Sequence, residues 1–187
     1  VPWSVGAVYE RWGATSCPSG STLLYAGFMA NSHYSHTGGG ANFLCMHPEP
    51  QASPAHVAST QAYRDLIYGT EYQTDSSYNV ATGSDKHNDD AACAMCLASA
   101  TRQVYVQWGR STSCSNGHET LYSGFVMGGY YNHVGRESHV CVDAEMALHA
   151  TSSGTDNDGA MLWFTEMRGD STDTTQYPSG TEIGCSA

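Results

Sequence analysis

Residues 19–36 read SGSTLLYAGFMANSHYSH, and residues 116–133 read NGHETLYSGFVMGGYYNH. The two stretches share a Leu-Tyr-x-Gly-Phe centre and an ending of Tyr and His. Outward from them the match continues. Trp12-Gly13 aligns with Trp108-Gly109, Thr15-Ser16-Cys17 with Thr112-Ser113-Cys114, and Gly20 with Gly117. Leu24-Tyr25 aligns with Leu121-Tyr122, Gly27-Phe28 with Gly124-Phe125, and Tyr34, His36 and Gly38 with Tyr131, His133 and Gly135. After a one-residue slip Cys45 meets Cys141. Further on, LIYGTEY (66–72) corresponds to MLWFTEM (161–167), with Thr70-Glu71 matching Thr165-Glu166. The same features in the same order indicate an internal duplication, and two copies are too few for a solenoid.

The local pattern within each copy is mainly β. VYVQW (104–108), TLLYAGFM (22–29) and ETLYSGFV (119–126) are rich in aromatic or β-branched residues and bounded by Gly and Ser. Gly38-Gly39-Gly40 and SSGTDNDG (152–159) are loop signals. Two short helices are predicted as well. One runs from Ser53 as N-cap and Pro54 at the first turn through AHVASTQAYRDL, and the other covers DAEMALHA (143–150).

The chain has 187 residues, enough for one ordinary domain or two small ones. Eighteen acidic residues stand against seven basic ones, with Lys86 the single lysine, for a net charge of -11. Such a chain repels phosphate backbones, which argues against nucleic acid as a partner. No Lys/Arg cluster suits an anionic membrane surface. No apolar run reaches the roughly 20 residues of a membrane helix, so no membrane insertion is expected. Seven cysteines (Cys17, Cys45, Cys93, Cys96, Cys114, Cys141 and Cys185) in a Gly/Ser/Tyr-rich chain point to disulfides and an oxidising compartment. Zinc is the rival, but Cys93-x-x-Cys96 is one CxxC without a second. The cysteines and a start at Val1 without Met suit a processed, secreted, extracellular protein. Together these features predict a mainly β fold of two homologous disulfide-bonded β subdomains, residues 1–100 and 101–187, related by a pseudo-two-fold.

The stretches TSCPSGSTLLYAGF (15–28), HPEPQ (47–51), LIYGTEY (66–72) and DDAACAMC (89–96) resemble the non-collagenous domain of spongin short-chain collagens and their short-chain collagen C4-like relatives. More distantly they resemble the C-terminal non-collagenous domain of type IV collagen. That domain is also duplicated, with a Cys-Pro-x-Gly start, a Leu-Tyr-x-Gly segment and a CxxC end in each half. The resemblance spans nearly the whole chain. It implies a tandem all-β fold, an extracellular location and a homo-oligomer, a trimer. It also implies that Cys17 pairs with Cys96, Cys45 with Cys93 and Cys141 with Cys185. Cys114 would then need a partner three positions beyond Cys185, past Ala187. The expectation is a further cysteine in a longer natural chain, or else a free or intermolecular Cys114. One departure matters: there is no Gly-X-Y repeat, so nothing here can form a collagen triple helix.

The candidate chemistry lies in the duplicated loops, NSHYSHTGGGAN (31–42) and GGYYNHVGRESH (128–139). Aromatic faces pack against the C–H face of a pyranose, while amide and imidazole groups bond its hydroxyls. The candidate sugar-binding residues are His33, Tyr34, His36 and Asn42 in one loop and Tyr130, Tyr131, Asn132 and His133 in the other. Two copies per chain would make an oligomer multivalent. The competing reading is a Tyr/His turn that packs a subunit interface.

Other patterns carry less. His33-x-x-His36, with His133 and His139 in the matching loop, lacks a marked third metal ligand. DKHNDD (85–90) and DNDG (156–159) lack the spacing and final Glu of a calcium loop. Arg168-Gly169-Asp170 would matter only on a protruding loop. Glu71 and Glu166 read as two copies of one structural role rather than one glycosidase pair. No nucleophile elbow, HExxH or phosphate-binding Gly loop is present. No catalytic residues, metal or cofactor are expected. Two functions survive: a secreted lectin that binds glycans as a multivalent oligomer, and an extracellular-matrix assembly module. The missing collagen repeat favours the lectin.

Overall fold

The computed structural model describes residues 6–38, 40–51, 65–74, 85–99, 102–168 and 175–187. It is mainly β. Among the described residues ten strands make one sheet: β1 (Val8–Trp12), β2 (Ser21–Asn31), β3 (Leu44–Met46), β4 (Tyr68–Tyr72), β5 (Ala92–Ala98), β6 (Gln107–Trp108), β7 (Ser123–Gly128), β8 (Val140–Asp143), β9 (Ala160–Phe164) and β10 (Gly184–Ser186). There is no helix among the described residues.

The strand order is β6-β10-β7-β8-β1-β5-β2-β4-β9, with β3 beside β2. β9 also pairs with β7, so the path from β7 through β8, β1, β5, β2, β4 and β9 closes on itself. Closure removes free edges along that ring. Strand pairs within residues 1–100, or within 101–187, are antiparallel. The two that join the segments, β1–β8 and β4–β9, are parallel.

Registers in the two segments coincide at the aligned positions. In β2–β3 Met29 faces Cys45, and in β7–β8 Val126 faces Cys141. Gly27 faces Cys93 in β2–β5, and Gly124 faces Cys185 in β7–β10. Trp12 faces Cys93 in β1–β5, and Trp108 faces Cys185 in β6–β10. Asn31 faces Tyr68 and Gly128 faces Trp163. The repeated Tyr-x-Gly-Phe explains part of this. A Cβ on Gly27 would sit 1.8 Å from the Met46 carbonyl oxygen, and one on Gly124 1.8 Å from that of Val142. Both strands approach a neighbour too closely for any side chain. Tyr25 and Tyr122 then donate their hydroxyls to the Cys45 and Cys141 carbonyls.

Three disulfides staple the sheet: Cys17–Cys96, Cys45–Cys93 and Cys141–Cys185. They close loops spanning 79, 48 and 44 residues. In the chain-entropy account each contributes about 4 kcal/mol. Cys114 carries a free thiol.

Two apolar clusters form the core. One gathers Met29, Phe43, Tyr72, Met127, Val142 and Leu162, and the other Tyr9, Cys96, Tyr122, Val126, Cys141 and Cys185. Each takes residues from both segments. β5 and β6, on either side of residue 100, thus belong to one sheet over shared apolar clusters. Arg11 ties the segments together. It is 8% exposed, and its guanidinium meets Asp143 at 2.7 Å and the Ser16 carbonyl at 2.9 Å.

The helix expected over 143–150 does not form. Asp143 Oδ1 accepts the Glu145 amide and the Asp143 carbonyl accepts that of Met146, whose φ of 43° lies in the left-handed region. Local bonding by an Asp side chain competes with helix. Beyond the turn, Ala147 bonds Gly13 and Ala92, and Leu148 bridges to Ala91, so this backbone serves the sheet. The other expected helix lies almost entirely in 52–64, outside the described residues. Of VYVQW only Gln107–Trp108 is strand, and ETLYSGFV enters its strand at Ser123.

Candidate functional site

The two Tyr/His loops leave the ends of β2 and β7 and meet. Tyr34 and His133, one from each loop, have ring centroids 4.8 Å apart. From Tyr34 the contacts run to His33 (4.8 Å), then to His36 (4.9 Å) and Tyr68 (4.8 Å). From His133 they run to Tyr130 (5.3 Å), then to Tyr131 (4.6 Å) and Trp163 (5.0 Å). Eight rings thus form one continuous strip rather than two separate patches. Each loop is closed by the same turn, with His36 N–H donating to the His33 carbonyl and His133 N–H to that of Tyr130. Backbone bonds hold the loops together: Ala41 N–H to the Arg136 carbonyl, and Ser138 N–H to that of Ala41. The 152–159 loop contributes a third wall, where the Gly159 carbonyl accepts the Tyr34 amide at 3.1 Å.

All eight predicted residues lie in these loops, but their exposure differs. His33, Tyr34, Tyr130 and His133 are half-buried within the strip. Tyr131, His36, Asn132 and Asn42 are exposed, and Tyr131 keeps 74% of its surface in solvent. Asn42 follows the Ala41–Glu137 bridge. A strip of half-buried rings flanked by free amides is suited to an apolar ligand face ringed by hydroxyls.

Polar groups beside the strip are unusual. Glu137 Oε2 and Trp163 Nε1 are buried and have no hydrogen-bond partner within the chain. Burial pushes the Glu137 carboxyl up to about 7 and lowers the pKa of His133. The hydrogen bond with Tyr131 raises that of Tyr130. Asp158 is raised by desolvation and by its bond with Asp156. Tyr68, Trp163 and Glu137 were not among the predicted residues. For Tyr68 and Trp163 a signal existed, since they occupy the same place in LIYGTEY and MLWFTEM. Nothing in the sequence pointed to Glu137.

The remaining candidates resolve as follows. His33 and His36 stack on each other, and among the described residues no three His, Cys, Asp or Glu side chains converge on a metal position. His139 stands at the foot of the second loop, against Gly128. The carboxylates of 85–90 serve bonds within the fold: Asp85 accepts the neighbouring His87 amide, and Asp89 accepts the hydroxyl of the distant Ser152. Glu71 is buried on β4, where burial raises its pKa and Oε1 accepts the Asn157 amide. Glu166 is exposed and pairs with Arg168 at 3.2 Å. The two glutamates thus have unlike surroundings. Gly169 and Asp170 lie outside the described residues.

No protein-family model matches the chain, and no solved structure matches it.

Proposed function

We propose that this protein is a secreted, extracellular carbohydrate-binding protein built by duplication of one β unit and acting as a homotrimer without catalysis. The observation that carries the reading is the contact between Tyr34 and His133, which merges the duplicated loops into one strip of rings and imidazoles. One composite platform per chain replaces two sites, and multivalency comes from the trimer. The coincident registers of β2–β3 and β7–β8 support the duplication and its pseudo-two-fold. The resemblance to spongin-type non-collagenous domains supports the extracellular location and the trimer.

A glycan-array screen of the purified protein, with and without EDTA, tests the proposal. Binding to a related set of sugars, weakened by Tyr34→Ala or Tyr131→Ala with the oligomer intact by light scattering, is the expected result. A blank array on intact oligomer would sink it. The second reading, a matrix-assembly module, is favoured by the free thiol of Cys114, which offers a covalent link between chains. Dissociation of the oligomer by Tyr34→Ala would favour that reading.

A further inference from the structure

Away from the strip, two adjoining cavities of about 330 and 220 Å³ share Val104, Tyr105 and Ala187 as lining. They form a groove. One wall is β1, with Glu10 and Trp12, and the other is the extended 102–106 segment leading into β6. Two aromatic side chains stand on this second wall, Tyr105 and Trp108, each 51% exposed. Neither packs into a core.

Tyr105 is nevertheless fixed. The Ser115 amide and hydroxyl donate to Gln107 Oε1 at 2.7 and 3.1 Å. Gln107 Nε2 donates to the Tyr105 hydroxyl at 2.6 Å, and that hydroxyl is in turn hydrogen-bonded to His118 Nδ1. The Tyr105 ring also sits edge-on to His118 at 5.7 Å. An exposed ring held by a four-residue chain of hydrogen bonds has lost its rotamer freedom before anything binds. Such a platform loses little further entropy on contact. An indole and a phenol beside a carboxylate, an amide and an imidazole are the groups that grip a sugar ring and its hydroxyls.

Charge narrows the ligand. The guanidinium of Arg102, the groove's one Arg or Lys, is paired with Glu119 at 2.9 Å. Glu10 adds an exposed negative charge, and the whole chain carries -11. Arg102 holds Glu119 through Nη2 and buries Nη1, which has no hydrogen-bond partner, and the net negative field disfavours a carboxylate or sulfate. We infer that this groove is a second binding site, for neutral pyranosides, with Trp108 and Tyr105 as its stacking surface. The groove is separate from the loop platform and meets it only at His139, where the second loop returns to β8.

The test uses the full chain carrying Tyr131→Ala, which disables the platform, so that the remaining binding belongs to the groove. Neutral gluco-, manno-, galacto- and chito-tetrasaccharides are titrated against sialylated and glucuronate-bearing ones. Tryptophan fluorescence and saturation-transfer NMR provide the readouts. A neutral saccharide binds this protein, and adding Trp108→Ala weakens it by about tenfold or more, the usual effect of removing an aromatic anchor. Tyr105→Phe, which frees the ring but keeps its surface, weakens it less. The inference is overturned if Tyr131→Ala protein binds no neutral saccharide, if adding Trp108→Ala changes nothing, or if the acidic saccharides bind more tightly. Comparison of wild type with Tyr131→Ala separately reports on the platform, so failure of one site is distinguishable from failure of the other.

Discussion

Strand β1 and the segment 104–108 occupy equivalent places, because Trp12 faces Cys93 as Trp108 faces Cys185. Their sequences, VYERW and VYVQW, differ at two positions. Tyr9 bonds Ser21 through its hydroxyl, and Tyr105 bonds His118. Yet Tyr9 is 7% exposed and Tyr105 51%. The difference lies in the neighbours. β1 sits between β5 and β8, whereas β6 ends the sheet. A matched sequence reproduces the local register, but which strands come to lie alongside is settled by the partner segment. The edge left open at β6 exposes Tyr105 and Trp108 to the groove, whereas Tyr9 on the enclosed β1 is core.

This contrast can be broken most severely at Arg11, which anchors β1 to β8. Arg11→Met leaves Asp143 buried without its cation and should cost about 3–5 kcal/mol in urea unfolding. Gln107→Met, the matched change on β6, removes the bonds to Ser115 and Tyr105 and should cost less, about 1 kcal/mol. Equal losses would refute the assignment of the asymmetry to the β1–β8 contact. Gly27→Ala and Gly124→Ala probe the opposite property, the matching strand registers of the two segments. Each forces a Cβ onto a neighbouring carbonyl, and each should destabilise by about 1–3 kcal/mol. A neutral outcome at either position would mean that the two close approaches are not equivalent.

Smaller effects sharpen the comparison of the two loops, of which only the second carries a buried carboxyl. Glu137 rises from its ordinary 4.5 to about 7, so the folded chain holds this proton more tightly than the unfolded chain. Its contribution to stability is fully present below 4.5 and is lost as pH rises through 7. The loss should be on the order of 1 kcal/mol, allowing for the solvent that reaches the group. Glu137→Gln should flatten thermal stability between pH 5 and 8; an unchanged pH profile would place the carboxyl in water. Smallest of all, Tyr9→Phe should cost about 1 kcal/mol and Tyr105→Phe less, since the second hydroxyl is already near solvent. Matching losses would show that exposure does not distinguish the two tyrosines.

Much of the site was legible in the matching stretches 19–36 and 116–133. The Tyr/His loops sit at the ends of β2 and β7 because each follows the Gly that allows close strand approach, and that motif was visible twice. Their meeting was not legible. Tyr34 and His133 are 99 positions apart, and nothing in either loop specifies the other. Asp143 misled for a related reason. Its octet has helical composition, but an Asp that bonds its own backbone, with sheet partners at Gly13 and Ala92, leaves no helix to propagate.

From the sequence alone came what depends on local pattern and composition: a mainly β chain, a net charge unsuited to polyanions, repeated glycines and the positions of the aromatic loops. Side-chain period and backbone sterics act over a few residues, so they can be read in order along the chain. Tertiary structure alone decided which strands join the two segments, which of two equivalent tyrosines is buried, that the ring closes through β7 and β9, and that two loops make one strip. Those outcomes depend on contacts between residues far apart in the chain, which no local stretch of sequence encodes.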